Sequence, residues 1–468
     1  MDRAAEAVLN VDAAAIAEYL PGEPQRHGAR GLLLARRIVG RASFVCCLFV
    51  LLAPLWLLYG ALVFVVGRPP NVPRAAQIRR YLGRAWTEQP PPPGLSFTQR
   101  LWLTLTVLRK VAFVPLVAAA WWLDEALYGR RLDAVVVRAP LFEISAGRSG
   151  STQLARYLED DPSLVAPSFL QSLFPYLWLW RLAPRTLGRF FTKDDVRRHF
   201  DRALWPEFLE RHEGEPFRTD TFEAALYIAH LNALSLFYGP DMTEEEFGFH
   251  RLHEGNRGLW EDDFVRLLER IGRKRLLEAG PGPDGKPRRL FVKGHFLCAA
   301  PALARRFPDA RFLTVIRMPD KRFQSGINYV RANPIDDTLG PPPWRWLAEG
   351  LLRAEIGYCE LEQAWYTAAV GPSRCVIRFD DYVRDLTGTM QRIYASCMEG
   401  PVPDHIPREH PPRRRHAYSL DRSLAQVGID AAALNERLAD YCAWCAPLTP
   451  SKRDTQDGAA TEPHRSKS

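Results

Sequence analysis

The stretch Leu141–Leu158 has the sequence LFEISAGRSGSTQLARYL, and it decides the fold. Its first residues are apolar and suit a short buried strand, and the run from Leu154 onward has helical spacing. Between them lies Gly147–Thr152, with two glycines, an arginine and several hydroxyl side chains. A strand, a glycine-containing turn and a helix start together aim backbone N–H groups and a positive helix end at an anion. The stretch therefore predicts an oxyanion-binding loop; the alternative is an ordinary turn whose hydroxyls only cap the helix.

This loop differs from the loop of nucleotide triphosphatases, in which a lysine directly follows the last glycine. Here no lysine follows Gly150, and the cation, Arg148, precedes it. The segment GRSGST resembles the 5′-phosphosulfate loop of sulfotransferases that use 3′-phosphoadenosine 5′-phosphosulfate (PAPS). In that family a lysine or arginine, followed by Ser-Gly and two hydroxyl residues, holds the donor. The resemblance implies that the donor-binding residues here are Arg148, Ser149, Gly150, Ser151 and Thr152.

Two later segments resemble the same family, in its order and spacing. Lys293-Gly294-His295-Phe296 resembles the Lys-Thr-His-Leu segment of cytosolic sulfotransferases, whose histidine acts as a base. The segment FLTVIRMPDKRFQS, Phe312–Ser325, resembles the segment in which an arginine and a serine eight positions later bind the donor's 3′-phosphate. Arg317 and Ser325 have that separation, and His295 precedes Arg317 by 22 positions, about the gap of the cytosolic members.

The pattern of strand and helix signals predicts an α/β fold with a mainly parallel central sheet. The resemblance, which covers about Leu141 to Tyr394, implies the P-loop-like sulfotransferase fold with flanking helices. The predicted strands are Ala134–Val137, Leu141–Ser145, Leu290–Val292, Phe312–Ile316 and Cys375–Phe379. Between Pro167 and Gly285 the chain is aromatic-rich and mostly helical, and we interpret this part as an insertion that shapes the acceptor pocket.

The implied chemistry is transfer of a sulfuryl group, in which charge spreads over the transferring group and the leaving phosphate. Arg148 and Lys293 are predicted to neutralise that charge, His295 is the predicted base, and no metal is required. The glycine- and lysine-containing C-terminal donor segment of the cytosolic enzymes is missing, as it is in membrane-bound and bacterial relatives. Many of those use a glutamate base, so Glu223, in RTDTFEAAL, is the alternative to His295. Arg322 is expected to be solvated.

The N-terminal part of the chain predicts a membrane anchor. Residues 1–42 are polar, and Ser43–Gly67 is a run of 25 residues without a charge, long enough to cross a hydrocarbon core of about 20 residues. Residues 68–132 are predicted to be a linker followed by an interfacial helix, Leu101–Leu123. Arg109 and Lys110 near its middle argue against a second span, which remains the alternative. Three tryptophans are expected at the headgroup level: Trp102, Trp121 and Trp122.

Composition limits the other function classes. The net charge of +8 suits an anionic ligand or membrane surface, but it is too diffuse to predict nucleic-acid binding. The eight cysteines are scattered, and the lone pair Cys442 and Cys445 is interpreted as core rather than as a zinc site. The sulfotransferase domain is predicted to span residues 133–445, and residues 446–468 are predicted to be a disordered tail.

Together these features predict a membrane-anchored, single-pass sulfotransferase that acts on a hydroxyl or amine of a lipid or carbohydrate. The alternatives are a phosphate-transferring P-loop enzyme and a membrane scaffold that keeps the nucleotide fold without turnover. The composition, rich in arginine, alanine and proline, favours a bacterial inner membrane with the domain in the cytoplasm. An arrangement facing the Golgi lumen is the alternative.

Overall fold

The structure is a computed structural model, and it describes most of the 468-residue chain. The described residues are 27–84, 86, 97–203, 215–222, 262–332, 344–398, 400–410 and 423–446. The alternative base Glu223 and the predicted tail, apart from residue 446, lie outside these ranges.

Four helices precede the sheet: α1 (His27–Val66), α2 (Ala75–Arg84), α3 (Phe97–Ala112) and α4 (Val114–Asp133). The uncharged run that predicts a membrane span lies in the second half of α1. The predicted single helix Leu101–Leu123 is two helices, because the chain breaks at Phe113 just before Pro115. Proline fits the first turn of a helix but cannot continue one that is already running.

The sheet has five parallel strands in the order β2-β3-β1-β4-β5. The strands are β1 (Leu141–Glu143), β2 (Leu164–Val165), β3 (Arg289–Lys293), β4 (Arg311–Ile316) and β5 (Ser373–Arg378). The predicted α/β class with a parallel sheet is therefore confirmed. The two-residue edge strand β2 was not predicted, because it is too short to give a pattern. The predicted strand Ala134–Val137 is wrong: this segment is a loop after α4.

Helices cover both faces of the sheet. They are α5 (Ser151–Glu159), α6 (Phe169–Leu173), α7 (Leu177–Thr186), α8 (Lys193–Ala203), α9 (Asp262–Ala279), α10 (Ala300–Arg306), α11 (Pro319–Ala332), α12 (Trp344–Thr367), α13 (Phe379–Arg384), α14 (Leu386–Ile393), α15 (Ala431–Arg437) and α16 (Ala439–Cys445). Alternate strand residues enter different cores: Phe142 and Phe312 pack with one cluster, whereas Leu141 and Leu313 pack with another. Burial of both faces is typical of a parallel sheet.

A buried ion pair fixes α4 to the sheet domain. Lys274 of α9 lies 2.8 Å from the Asp124 carboxylate, and both side chains are fully buried. Asp124 also accepts hydrogen bonds from the backbone N–H groups of Leu177 and Trp178. Burial, partly offset by Asp124, lowers the pKa of Lys274 to about 8. Removing either partner would leave one uncompensated buried charge, which is strongly destabilising. The ion pair therefore holds α4 firmly against the sheet domain.

The tryptophans predicted for the membrane interface are mostly enclosed by protein. Trp121 is buried beneath the Lys274 ammonium, which lies 3.6 Å from the ring centroid. Trp102 is buried beneath the Arg41 guanidinium, at 3.4 Å. Trp122 is half-buried and contacts Tyr59 of α1. The prediction that Trp102 and Trp121 face the headgroups is therefore wrong, because cation–π contacts hold both rings inside the protein.

Arg322 was expected to be solvated, and this is also wrong. Its side chain is 1% exposed and ion-paired with Glu355 and Glu362 of α12, at 2.7 and 3.2 Å. It also donates to the Tyr441 hydroxyl. The burial of Arg322 could not be predicted from its neighbours in sequence, because the acids that pair with it lie 33 and 40 positions later.

Candidate active site

The predicted site residues meet at one edge of the sheet, because the carboxyl ends of parallel strands lie together. β1 is the central strand, with β3 on one side and β4 on the other. The last residues of β1 and β3, Glu143 and Lys293, are in register. Arg317 directly follows β4. Ligands of open α/β sheets bind at this edge, where neighbouring connections diverge.

The predicted oxyanion loop connects β1 to α5. Gly150 precedes the first residue of α5 with φ +84°, and the non-glycine Arg148 has φ +66°. This second left-handed residue marks a strained turn of the kind found at ligand-binding loops. Ser149 is fully buried, and no hydrogen-bond partner exists for its hydroxyl among the described residues. An orphaned buried hydroxyl in front of a helix start fits an oxyanion that would accept from it.

The loop is joined directly to the segment that resembles the 3′-phosphate site. Arg317 Nη1 donates to the backbone carbonyl of Arg148 at 2.8 Å. Arg148 Nε donates to the Ser325 hydroxyl at 3.1 Å. The Arg317 guanidinium also lies 4.3 Å from the ring centroid of Phe379, at the start of α13. Residues 169 and 177 positions apart thus form one connected group of donors.

Lys293 is held at the same edge by two residues, Asp220 and Thr221, that were not singled out from the sequence. Its ammonium donates to the Thr221 hydroxyl at 3.0 Å and lies 3.5 Å from the Asp220 carboxylate. Both charged side chains are at least nine-tenths buried. Asp220 also accepts from the Thr221 N–H at 2.7 Å. Asp220 was not predicted as a site residue, although it lies three positions before Glu223, in the segment where an acid was sought.

His295 is oriented by the end of β1. Its Nδ1 lies 2.7 Å from the backbone carbonyl of Ser145. Because a carbonyl only accepts hydrogen bonds, we assign the ring proton to Nδ1, which leaves Nε2 as the acceptor atom of the neutral ring. Nε2 lies on the side of the loop, since a β-carbon at Gly147 would be 3.8 Å from it. This tautomer and position suit a general base.

Glu143 adds a buried carboxyl beside the lysine. Burial raises the pKa of Glu143 to about 7, and the charge of Lys293 and hydrogen bonds from Ser145 oppose this rise. The Ser145 hydroxyl donates to Glu143 and accepts from the Val315 N–H. Glu143 therefore links β1 to β4 through Ser145, directly behind the loop.

A family model described as the sulfotransferase family matches residues 140–400, more than half of the chain. The chain belongs to the sulfotransferase family. Two solved bacterial structures have similar folds. Sulfotransferase STF9 from Mycobacterium avium matches with a TM-score of 0.51 and 18% identity, over 80% of this chain and 96% of that one. Sulfotransferase STF1 from Mycobacterium tuberculosis H37Rv matches with a TM-score of 0.50 and 17% identity, over 82% and 97%. No curated protein matches the sequence.

The residues present in this sulfotransferase fit a donor with two separated anionic groups. The buried Ser149 hydroxyl and the start of α5 form one donor set. Arg317 and Ser325 form a second, and Arg148 contacts both members of it. Within the described ranges, no group of three or more histidine, cysteine or acidic residues is arranged to hold a metal ion.

Proposed function

We propose that this sulfotransferase moves a sulfuryl group from PAPS to a hydroxyl or amine of a lipid or carbohydrate acceptor. The observation that carries the proposal is the direct contact between the β1–α5 loop and the segment after β4. Arg317 donates to the Arg148 carbonyl, and Arg148 donates to Ser325. Two segments whose sequences separately resemble the 5′- and 3′-phosphate sites of the family therefore form a single surface.

In this proposal the chain supplies position and charge. PAPS brings the activated sulfuryl group and a stable leaving phosphate. Ser149, Gly150, Ser151 and Thr152 hold the 5′-phosphate through hydroxyls and backbone N–H groups. Arg317 and Ser325 hold the 3′-phosphate. Arg148 and Lys293 neutralise the charge that develops during transfer, a contribution that fixed dipoles and cations make most effectively in a dry site.

His295 takes the proton of the acceptor at Nε2. The Ser145 carbonyl fixes the required tautomer through Nδ1, and it stabilises the imidazolium that forms. Asp220 keeps the Lys293 ammonium at the sheet edge, and Thr221 restricts its direction. Glu223 is the alternative base and lies outside the described residues.

We also propose that α1 keeps the enzyme at a membrane. By length and composition, two helical stretches, Ala35–Val66 and Arg100–Asp133, could each cross a bilayer. In the most apolar window of the second stretch 44% of the residues are buried in protein, whereas none is buried in the corresponding window of the first. A membrane location favours a lipidic or membrane-borne acceptor, and a bacterial inner membrane with a cytoplasmic domain would give access to the donor. A site facing the Golgi lumen remains the alternative.

Calorimetric titration of the full chain in detergent with 3′-phosphoadenosine 5′-phosphate (PAP) tests the donor. We expect micromolar binding that Arg317→Ala weakens by about 1.5–3 kcal/mol, the usual loss for a charge-assisted hydrogen bond. Arg131→Ala removes an exposed arginine from the last turn of α4 and is the matched control, with unchanged binding. Tighter binding of ATP with magnesium than of PAP would instead support a phosphate-transferring enzyme.

Incubation with ³⁵S-labelled PAPS and fractionated membrane lipids and glycans tests turnover. Label in a lipid or glycan fraction, lost in His295→Asn, is the expected result. Unlabelled fractions with a protein that binds PAP would favour the non-catalytic scaffold.

A further inference from the structure

α1 packs beside α3 and α4, and the three helices run in the same direction. Near the beginning of the apolar run, Arg41 Nη1 donates to the Thr106 hydroxyl of α3 at 2.8 Å. Eighteen residues later, Tyr59 contacts Trp122 of α4, with ring centroids 5.9 Å apart. Since an α-helix rises 1.5 Å per residue, α1 lies beside α3 and α4 for about 27 Å. This distance is close to the thickness of a hydrocarbon core.

The connection between α1 and α3 runs back along the same helices. Asn71 Nδ2 donates to the Val117 carbonyl at 3.2 Å, in the first turn of α4. Ile78 and Leu82 of α2 pack against the cluster that contains Trp102. Trp86 Nε1 then donates to the Thr104 hydroxyl at 3.0 Å. From residue 71 to residue 86, the chain therefore runs antiparallel to α3 and α4, passing first beside α4 and then beside α3.

This returning segment is strongly basic. It carries five arginines: Arg68, Arg74, Arg79, Arg80 and Arg84. Two of them, Arg68 and Arg74, form ion pairs with the carboxylate of Asp263 in α9, at 2.6 and 3.0 Å. Arg74 lies in sequence between Asn71 and Ile78, which both contact the helices beside α1. Because Arg74 is paired with Asp263, the sheet domain extends alongside α1 and does not lie only past the C-terminal end of that helix.

An upright crossing of α1 conflicts with this arrangement. If Ser43–Gly67 crossed a bilayer from one side to the other, the end of α3, much of α4 and the part of the basic segment around Arg74 would have to lie at the same depths. Arginines within the hydrocarbon core are costly unless they face a polar cavity or a partner. Residues Arg109 and Lys110 of α3 add two further charges at these depths. One side of α1 is therefore lined by a protein layer that is unsuited to lipid.

The other side of α1 is suited to lipid. Its exposed apolar side chains recur as neighbouring pairs every seven residues: Val50 and Leu51, Leu57 and Leu58, Phe64 and Val65, each between 52% and 93% exposed. A spacing of seven residues is close to two helical turns, so the pairs form one stripe along the helix. Phe49, Trp56 and Tyr59 lie on the protein side, in contact with one another and with Trp122. α1 is apolar all round because one side contacts protein and the other is left for lipid.

We propose that α1 lies along the membrane and inserts this stripe into one leaflet, so that both of its ends and the sheet domain are on the same side. The occupant of the stripe is a lipid monolayer, and the basic segment lies on the protein side of α1. The inference rests on the proposed membrane association and replaces the predicted single crossing with a monotopic attachment.

Labelling of single cysteines in sealed, oriented vesicles tests the proposal. Replacement of Cys46, Cys47 and Cys442 by serine leaves only buried cysteines in the described part of the chain. Arg36→Cys then reports on the beginning of α1, and Lys286→Cys reports on the sheet domain; both positions are exposed. A membrane-impermeant maleimide is added before and after the vesicles are permeabilised.

The monotopic arrangement predicts that both cysteines are labelled from the same face of the vesicle. The labelled fraction should therefore be the same for the two variants, both before and after permeabilisation. Labelling from opposite faces would overturn it and establish a crossing of α1, while leaving membrane association intact. Recovery of the protein in the soluble fraction, with no vesicle-bound material, would overturn the membrane association itself.

Discussion

Replacement of Gly150 by alanine tests the link between the two phosphate-binding segments. Gly150 has φ +84°, and a β-carbon there would lie 2.8 Å from Cε2 and 3.1 Å from Cδ2 of Phe379. The Arg317 guanidinium lies over the same phenylalanine ring, 4.3 Å from its centroid. A methyl group at residue 150 must therefore displace the ring, the loop or both, and each displacement disturbs a residue assigned to the donor.

The magnitude follows from two independent costs. A residue with a β-carbon in the left-handed region costs about 1–2 kcal/mol. Forcing a methyl group into a filled site costs about 1–3 kcal/mol more. If the loop keeps its shape, we expect the free energy of unfolding to fall by the sum, about 2–5 kcal/mol. If the loop relaxes, the same cost must be met when the donor binds, and PAP affinity falls instead, by at least about thirtyfold for 2 kcal/mol.

The assay combines thermal unfolding with calorimetric titration of PAP, for Gly150→Ala and for Gly188→Ala. No atom lies within 4 Å of a β-carbon at Gly188, so this control should behave as the parent protein does. In the double variant Gly150→Ala/Phe379→Leu, the smaller side chain at residue 379 should relieve part of the steric clash but not the backbone strain. The free energies of unfolding of the single and double variants should therefore be non-additive, and the difference is the coupling energy between the two residues. Unchanged stability together with unchanged PAP affinity in Gly150→Ala would refute the assigned loop geometry.

Three further predictions concern the groups around the loop. His295→Asn, whose amide can still donate to the Ser145 carbonyl, should lower kcat by about 10²–10⁴-fold with PAP affinity unchanged, as loss of a general base does; unaltered turnover would shift the role to Glu223. Asp220→Asn leaves the buried Lys293 charge unbalanced and should destabilise the protein by about 3–5 kcal/mol, measured by thermal unfolding against exposed Asp309→Asn; equal melting temperatures would contradict this. For Glu143→Gln, the free energy of unfolding relative to the parent protein should rise between pH 5 and pH 8 by at most about 3 kcal/mol; a pH-independent difference would show that Glu143 is ionised throughout.

The sign of the Glu143 prediction follows from proton linkage. Burial raises the pKa of this carboxyl from 4.5 to about 7 in the folded protein. Between these values the folded protein binds more protons than the unfolded chain, so stability falls as pH rises. Glutamine cannot ionise and therefore escapes this loss. The relative advantage of the variant grows through that window and is complete above about pH 7.

Local patterns predicted the fold well where a strand is long enough to show them. The segments around Phe142, Phe291 and Phe312 alternate between two cores, and their sequences are apolar runs that end in turns. β2 was missed because two residues carry no period. Ala134–Val137 was predicted to be a strand because its three consecutive valines fit one, but these residues form a loop after α4 has ended.

Contacts across long sequence separations could not be predicted. Arg322 is buried because α12 brings two glutamates to it. Asp220 meets Lys293 because its segment lies at the sheet edge, although it precedes the lysine by 73 positions. The motif residues Arg148, Arg317 and Ser325 could be named from the sequence, but their mutual hydrogen bonds depend on the order of the strands. Sequence supplies the side chains, and topology determines their partners.

The most direct test of the donor assignment is a cycle of four calorimetric titrations: PAP and AMP, each with the parent protein and with Arg317→Ala. AMP lacks only the 3′-phosphate. We expect the parent protein to bind PAP about 10- to 150-fold more tightly than AMP, which corresponds to about 1.5–3 kcal/mol for a charge-assisted contact. In Arg317→Ala this ratio should fall toward one. Equal affinities for PAP and AMP in the parent protein, or a ratio that the substitution does not change, would contradict the assignment of Arg317 to a 3′-phosphate.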